Sequence, residues 1–180
     1  MKLDYLDLVL IHQPLNDYYG TYRAMEDLYK EGKIKAIGVS NFYPDRLVDL
    51  TLFNRITPAV NQIEVNPFHQ QLEAQEVNKK YGVQLQAWAP FAEGRNGIFD
   101  NTTLKTIGDK YGKSIAQVIL RWLLQRGIVP LSKTVNKERM LQNIDIFNFE
   151  LNEDDMNKIS CLDKKESSFF NHQEASSVEM

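Results

Sequence analysis

Residues 3–14 read LDYLDLVLIHQP, and how this stretch is read decides how the rest of the chain is parsed. Leu8, Val9, Leu10 and Ile11 form an apolar run without polar alternation, which predicts a strand covered on both faces, as in parallel sheets. His12 stands at its end, and Pro14 bars continuation as a central strand. Asp7 and His12 flank the run too closely for a signal peptide or a membrane span. The first element is therefore expected to be core.

Working outward, the same unit recurs. Strand-like runs at Leu8 to Ile11, Ile34 to Val39, Ala59 to Val65, Val83 to Ala87 and Ile128 to Leu131 are each followed by helical periodicity. Tyr22, Met25, Leu28 and Tyr29 fall at helical spacing before Gly32, and Pro44 opens a second helix through Leu47, Val48, Leu50 and Leu52. Leu72 to Tyr81 ends at Gly82, Thr103 to Tyr111 ends at Gly112, and Ser114 is a predicted N-cap for Ile115 to Gln125, closed by Gly127. Helices over Glu138 to Phe147 and Glu153 to Leu162 complete the pattern.

Five strands alternating with helices predict a parallel α/β sheet with right-handed crossovers, either open and doubly wound or part of a β/α barrel. Periodicity does not choose between them. The open fold normally carries a glycine-rich phosphate loop after its first strand, and HQPLNDYYG, residues 12–20, is not one. A barrel places its functional residues at the carboxyl ends of its strands, where this chain has His12, Ser40, Asn41, Gln62, Asn66, Trp88, Ser132 and Lys133.

The 180 residues carry no Pro/Gly/Ser-rich linker, so one domain over 1–180 is expected, with 164–180 as a C-terminal tail. A net charge of -3 offers no global basic field for nucleic acid or an anionic membrane. Cys161 is the only cysteine, which excludes intrachain disulfides and thiolate metal sites; no metal constellation is visible, and a cytoplasmic location is expected.

The segments LDYLDLVLIHQP, GKIKAIGVSNF, AVNQIEVNPF, QAWAPFAEG, SIAQVILRWLLQRGIVPLSKTVNKERMLQN and FFNHQ, in this order and spacing, resemble the aldo-keto reductases, in particular bacterial members that reduce small aldehydes, methylglyoxal and keto-sugars. The resemblance covers Leu3 to about Gln173. It implies a (β/α)8 TIM barrel represented by five of its eight units, the fourth to the eighth, plus the C-terminal helix and tail. The first three units, which in the family carry an Asp, a Tyr and a Lys of the catalytic set, are not in this sequence, so a truncated or internally started frame is expected.

The resemblance also implies NADPH as cofactor and a small aldehyde or ketone as substrate. His12 matches the catalytic histidine, whose neutral ring N–H can hold the carbonyl oxygen as charge grows on it. Ser40, Asn41 and Gln62 match the clamp on the nicotinamide carboxamide, with a helix cap before Pro44 as the plainer reading of the first two. Trp88 corresponds to the ring that stacks on the nicotinamide. Lys133 and Arg139 match the 2'-phosphate site, Thr134 lends a hydroxyl, and Gln142, where the family often has Glu, and Asn143 contact the adenine. Cations at a helix start oppose its dipole, which favours a bound anion there. Ala89, Pro90, Phe91, Ala92 and Gly94 match the loop under the pyrophosphate.

Phe169, Phe170 and His172 resemble the tail that closes over substrate, a polar disordered terminus being the alternative. His69 reads as a loop histidine and Cys161 as buried filler. Tyr18 and Tyr19 are the only visible substitutes for the absent acid, so the chain alone is expected to be a poor reductase. Two other readings stand beside the enzyme: a non-catalytic NADP-binding or interaction fragment, and an inactive remnant of a split gene. Five consecutive parallel strands leave two sheet edges, and a separately encoded polypeptide with the first three units would cover both.

Overall fold

A computed structural model describes residues 3–171 and Glu174. Its strands are β1 (Val9–Ile11), β2 (Ile37–Ser40), β3 (Val60–Glu64), β4 (Gln84–Trp88) and β5 (Val129–Pro130). The helices are α1 (Tyr18–Lys30), α2 (Pro44–Phe53), α3 (Leu72–Lys80), α4 (Thr102–Tyr111), α5 (Ile115–Gln125), α6 (Lys137–Ile144) and α7 (Glu153–Ser160). The strands form one sheet in the order β1-β2-β3-β4-β5, so strands consecutive in sequence are adjacent in the sheet and the helices lie in the connections between them. β1 pairs with β2 in parallel, Val9 opposite Ile37 and Ile11 opposite Val39, and β2 pairs with β3, Ser40 opposite Gln62. No helix among the described residues is long and apolar enough to cross a membrane.

Local chemistry sets the helix ends. Asp17 accepts the Gly20 N–H at 2.8 Å to start α1, and Pro44 occupies the first turn of α2, where its missing N–H costs nothing. Ser114 and Gln117 form a reciprocal capping box on α5, and Asn152 and Asp155 another on α7. Gly112 ends α4 in the left-handed conformation, φ +64, which glycine adopts at no steric cost. The helix expected to reach Phe147 stops at Ile144, with Asp145 as its C-cap.

Internal contacts divide the chain into two compact units. One holds the residues up to Ile63 together with Leu72–Gln86. Its core joins Ile11, Tyr22, Met25, Ile37, Val39, Phe42, Leu47, Leu50 and Val83. The other holds Glu64–Gln71 and Ala87–Asn171, where α4 packs on α5 and α7, and α5 packs on α6. Trp122, Ile98, Leu104, Ile119, Leu120 and Leu123 are among its large buried side chains.

The expectation for β1 is corrected here. Only Ile11 of the run is buried; Val9 and Leu10 are partly exposed, and Leu8 is 38 % and Leu3 62 % accessible. β1 stands at one end of the sheet with β2 as its only strand neighbour among the described residues, so its outer edge has no strand paired to it there. α6 is more exposed still. None of its residues is buried, and Leu141, Ile144 and the following Phe147 are 61 %, 69 % and 70 % accessible, although the helix is amphipathic.

The strands pack tightly at Gly38. A Cβ there would lie 2.6 Å from Leu10 Cδ2, 2.6 Å from Val60 Cγ2 and 2.8 Å from the Val60 carbonyl oxygen. The carbonyl belongs to the backbone and cannot swing away. Gly38→Ala is expected to lower stability by about 1 to 3 kcal/mol, the usual cost of overpacking, read from the urea midpoint. An unchanged midpoint would contradict this packing of β1 and β3 about β2.

Candidate cofactor and catalytic site

In the first unit, the polar residues at the strand ends form one hydrogen-bonded group. The side-chain amide of Asn41 donates to the His12 carbonyl oxygen at 3.1 Å and to Ser40 Oγ at 3.3 Å. Ser40 Oγ donates to the Gln62 carbonyl oxygen at 2.8 Å, and the Asn41 N–H donates to the same oxygen at 2.9 Å. Gln62 Nε2 reaches Gln86 Oε1 at 3.3 Å. Asn41 sits at φ +60, a left-handed conformation that asparagine tolerates better than most residues. Ser40 and Asn41 are buried and internally bonded, whereas the His12 side chain is exposed. The helix-cap reading of Ser40 and Asn41 does not hold, because the N-cap of α2 is Tyr43 and carries no side-chain cap bond.

Tyr18 and Tyr19 face elsewhere. Tyr18 is buried edge-on against Phe42, and its hydroxyl accepts from Arg46 at 3.2 Å. The Tyr19 hydroxyl donates to the Asp49 carboxylate in a short contact. Partial burial and this bond to Asp49 push the Tyr19 phenol well above its ordinary range, making it a poorer acid. Both hydroxyls thus tie α1 to α2.

The second unit contains a cavity of about 630 Å³. Seven sequence-predicted residues line it: Phe91, Gly94, Lys133, Thr134, Arg139, Gln142 and Asn143. Glu93, Phe99, Ser114, Ile115 and Ala116 line it as well and were not foreseen. The signal for the last three was present, since the capping box at Ser114 marks a helix N-terminus. The signal for Phe99 was not, because Ala92–Asp100 is a kinked pair of 3-10 turns with Glu93, Gly94, Asn96 and Gly97 all at positive φ, and no periodicity announces it. Ala89, Pro90 and Ala92 are not among the lining residues; Pro90 and Ala92 are buried.

The cavity is electrostatically one-sided. Among the described residues neither Lys133 nor Arg139 has a carboxylate partner, and Glu93 is the one acidic side chain on the wall. Asn136 caps α6 by accepting the Arg139 N–H at 3.0 Å, which holds the first turn in place, and Thr134 Oγ1 accepts the Asn136 N–H at 3.1 Å. Asn143 Nδ2 reaches Ser132 Oγ at 3.4 Å. Two unpaired cations, a hydroxyl, two amides and the faces of Phe91 and Phe99 suit a phosphorylated nucleoside in both size and donor chemistry.

Trp88 ends β4, is half-buried, and lies against Phe169 with ring centroids 5.1 Å apart. His69 is partly buried, and its Nε2 meets Gln71 Nε2 at 2.8 Å. Cys161, expected as buried filler, is exposed at the C-cap of α7, because the helix turns its apolar side in at Ile159 instead. Phe170 is exposed, and His172 lies outside the described residues.

The sequence pattern of the aldo/keto reductase family matches residues 1–164, and the chain belongs to that family. It is 49% identical over 167 residues to a glyoxal reductase of Bacillus subtilis, a match that covers 92% of this chain and 60% of the relative. Among solved structures, an aldo-keto reductase from a Medee basin deep-sea metagenome library superimposes with a TM-score of 0.89 at 39% identity, covering 95% of this chain and 64% of that one. A silkworm, Bombyx mori, aldo-keto reductase complexed with NADPH gives 0.88 at 36% identity, covering 93% of this chain and 57% of its own. The chain thus spans about 60% of the length of the relatives it matches.

Proposed function

We propose that this chain forms the NADPH-binding part of a reductase that converts small aldehydes or ketones to alcohols. The observation that carries the reading is the cavity bearing Lys133 and Arg139, which have no carboxylate partner among the described residues. When bound, NADPH supplies the hydride for the carbonyl carbon. Lys133 and Arg139 hold its 2'-phosphate, Thr134 adds a hydroxyl, Gln142 and Asn143 take the adenine edge, and Phe91 and Gly94 border the phosphates. Trp88 offers the flat face for the nicotinamide, and Ser40, Asn41 and Gln62 orient its carboxamide.

His12 donates from its ring to the carbonyl oxygen. Its main chain is held by Asn41, so the residue is placed by the same group that orients the ring. The similarity to a glyoxal reductase favours a small dicarbonyl aldehyde as substrate. The general acid is assigned to the three β/α units of the family barrel that this sequence does not contain, since Tyr18 and Tyr19 are engaged with α2. A cytoplasmic site of action goes with this chemistry, because NADPH is a cytoplasmic reductant.

Titration with NADPH and with NADH, followed by tryptophan fluorescence, tests the reading. Two charge-assisted contacts of about 1.5 to 3 kcal/mol each predict at least a tenfold preference for NADPH. Equal affinity would overturn it.

A further inference from the structure

The residues after α7 are held along the second unit by one buried carboxylate. Glu64, fully buried at the end of β3, accepts from Ser167 Oγ at 2.5 Å, from the Ser168 N–H at 3.0 Å and from Asn66 Nδ2 at 3.0 Å. Two of its three donors thus come from a segment a hundred residues downstream. Lifting that segment would leave a buried carboxylate short of partners, which is costly. Just upstream, the Lys164 N–H donates to the Phe68 carbonyl oxygen at 2.8 Å. Just downstream, Phe169 rests on Trp88.

A second set of contacts joins this segment to the cavity wall. Arg95 Nη1 donates to the Ser168 carbonyl oxygen at 3.1 Å, and its guanidinium lies 4.4 Å over the Phe169 ring. Asn96 Nδ2 reaches Ser168 Oγ at 3.2 Å. Arg95 and Asn96 belong to the kinked loop whose Glu93, Gly94 and Phe99 line the cavity, and the loop's run of left-handed residues makes its conformation depend on what it touches.

We propose that Glu64 is a positioning residue that seats Ser167–Phe169 against Trp88, and that Arg95 ties this seat to the cavity loop, so that a nucleotide in the cavity and the docked tail stabilise each other. The second half rests on the nucleotide reading above, while the first does not. Because coupling between two sites is reciprocal, nucleotide must protect the tail by the factor by which the tail tightens nucleotide.

Trypsin cleavage after the exposed Lys164 and Lys165 of the full chain, resolved by mass spectrometry, measures release of the tail. Ser167→Asp sets a second carboxylate against Glu64 and is expected to speed cleavage about tenfold. Adding Glu64→Gln returns an amide donor to that aspartate and should restore the slow rate, a rescue that mere loss of packing does not produce. The probe 2',5'-ADP should slow cleavage of the wild-type chain about threefold or more, and Arg95→Ala should abolish that protection while the probe still binds. Wild-type cleavage of Ser167→Asp, or no rescue by Glu64→Gln, overturns the seat. Protection that survives Arg95→Ala overturns the coupling. Failure of 2',5'-ADP to bind the wild-type chain overturns the nucleotide reading and the coupling with it, and the Ser167 and Glu64 variants still decide the seat.

Discussion

Co-expression of this chain with the first three β/α units of a related full-length reductase is expected to raise NADPH-dependent methylglyoxal reduction by about 10² to 10⁴ over the chain alone, the usual contribution of general acid catalysis. The chemical part is that Tyr18 and Tyr19, the two tyrosines in the stretch that follows His12, have their hydroxyls on Arg46 and Asp49. The physical part is that, among the described residues, β1 and β5 end the sheet with one strand neighbour each, while Leu8 in the first unit and Leu141, Ile144 and Phe147 in the second each expose apolar surface that water disfavours. Three further strands added to five give the eight with which a barrel of this kind closes. Two copies of this chain would bring ten, so self-association buries edges without rebuilding a site. Co-purification together with the gain in rate is the expected result. A cooperatively melting monomer that gains no activity from the added units would end the idea of an incomplete barrel.

Replacing both Lys133 and Arg139 by alanine is expected to weaken NADPH binding by about 10²-fold and to leave NADH binding within about twofold. Each charge-assisted contact with a phosphate is worth more than a surface ion pair, but both cations are exposed, so solvent screening trims the effect toward the lower end. The single variants are expected to lose about tenfold each and need not add, because they share one phosphate. Glu93 on the same wall opposes the anion, so Glu93→Gln should tighten NADPH modestly. An equal loss for NADH and NADPH would show that the two cations do not read the 2'-phosphate.

Much of the fold was legible because its signals are local. The five strand runs, the N-cap at Ser114, Pro44 in the first turn and the glycines closing α1, α3, α4 and α5 depend only on neighbours within four residues. The cavity residues came from the family resemblance, and local spacing agrees with it: Arg139, Gln142 and Asn143 lie on one face of one short helix, and Lys133 and Thr134 lie just before it. The loop from Ala92 to Asp100 was not, because consecutive left-handed residues have no period to detect.

By itself the sequence determined the alternation of strand and helix, most helix ends and the charge pattern of the cavity, since backbone propensity, capping and i, i+3 spacing act over a few residues. Tertiary structure alone decided which apolar residues are covered. The run at Leu8 to Ile11 has the composition of a core strand, but burial depends on having a neighbour on each side, and among the described residues β1 has β2 alone. It also decided where the tyrosine hydroxyls go, and that Glu64 and Ser167, a hundred residues apart, form one contact, because a hydrogen bond across such a separation leaves no mark on the residues between.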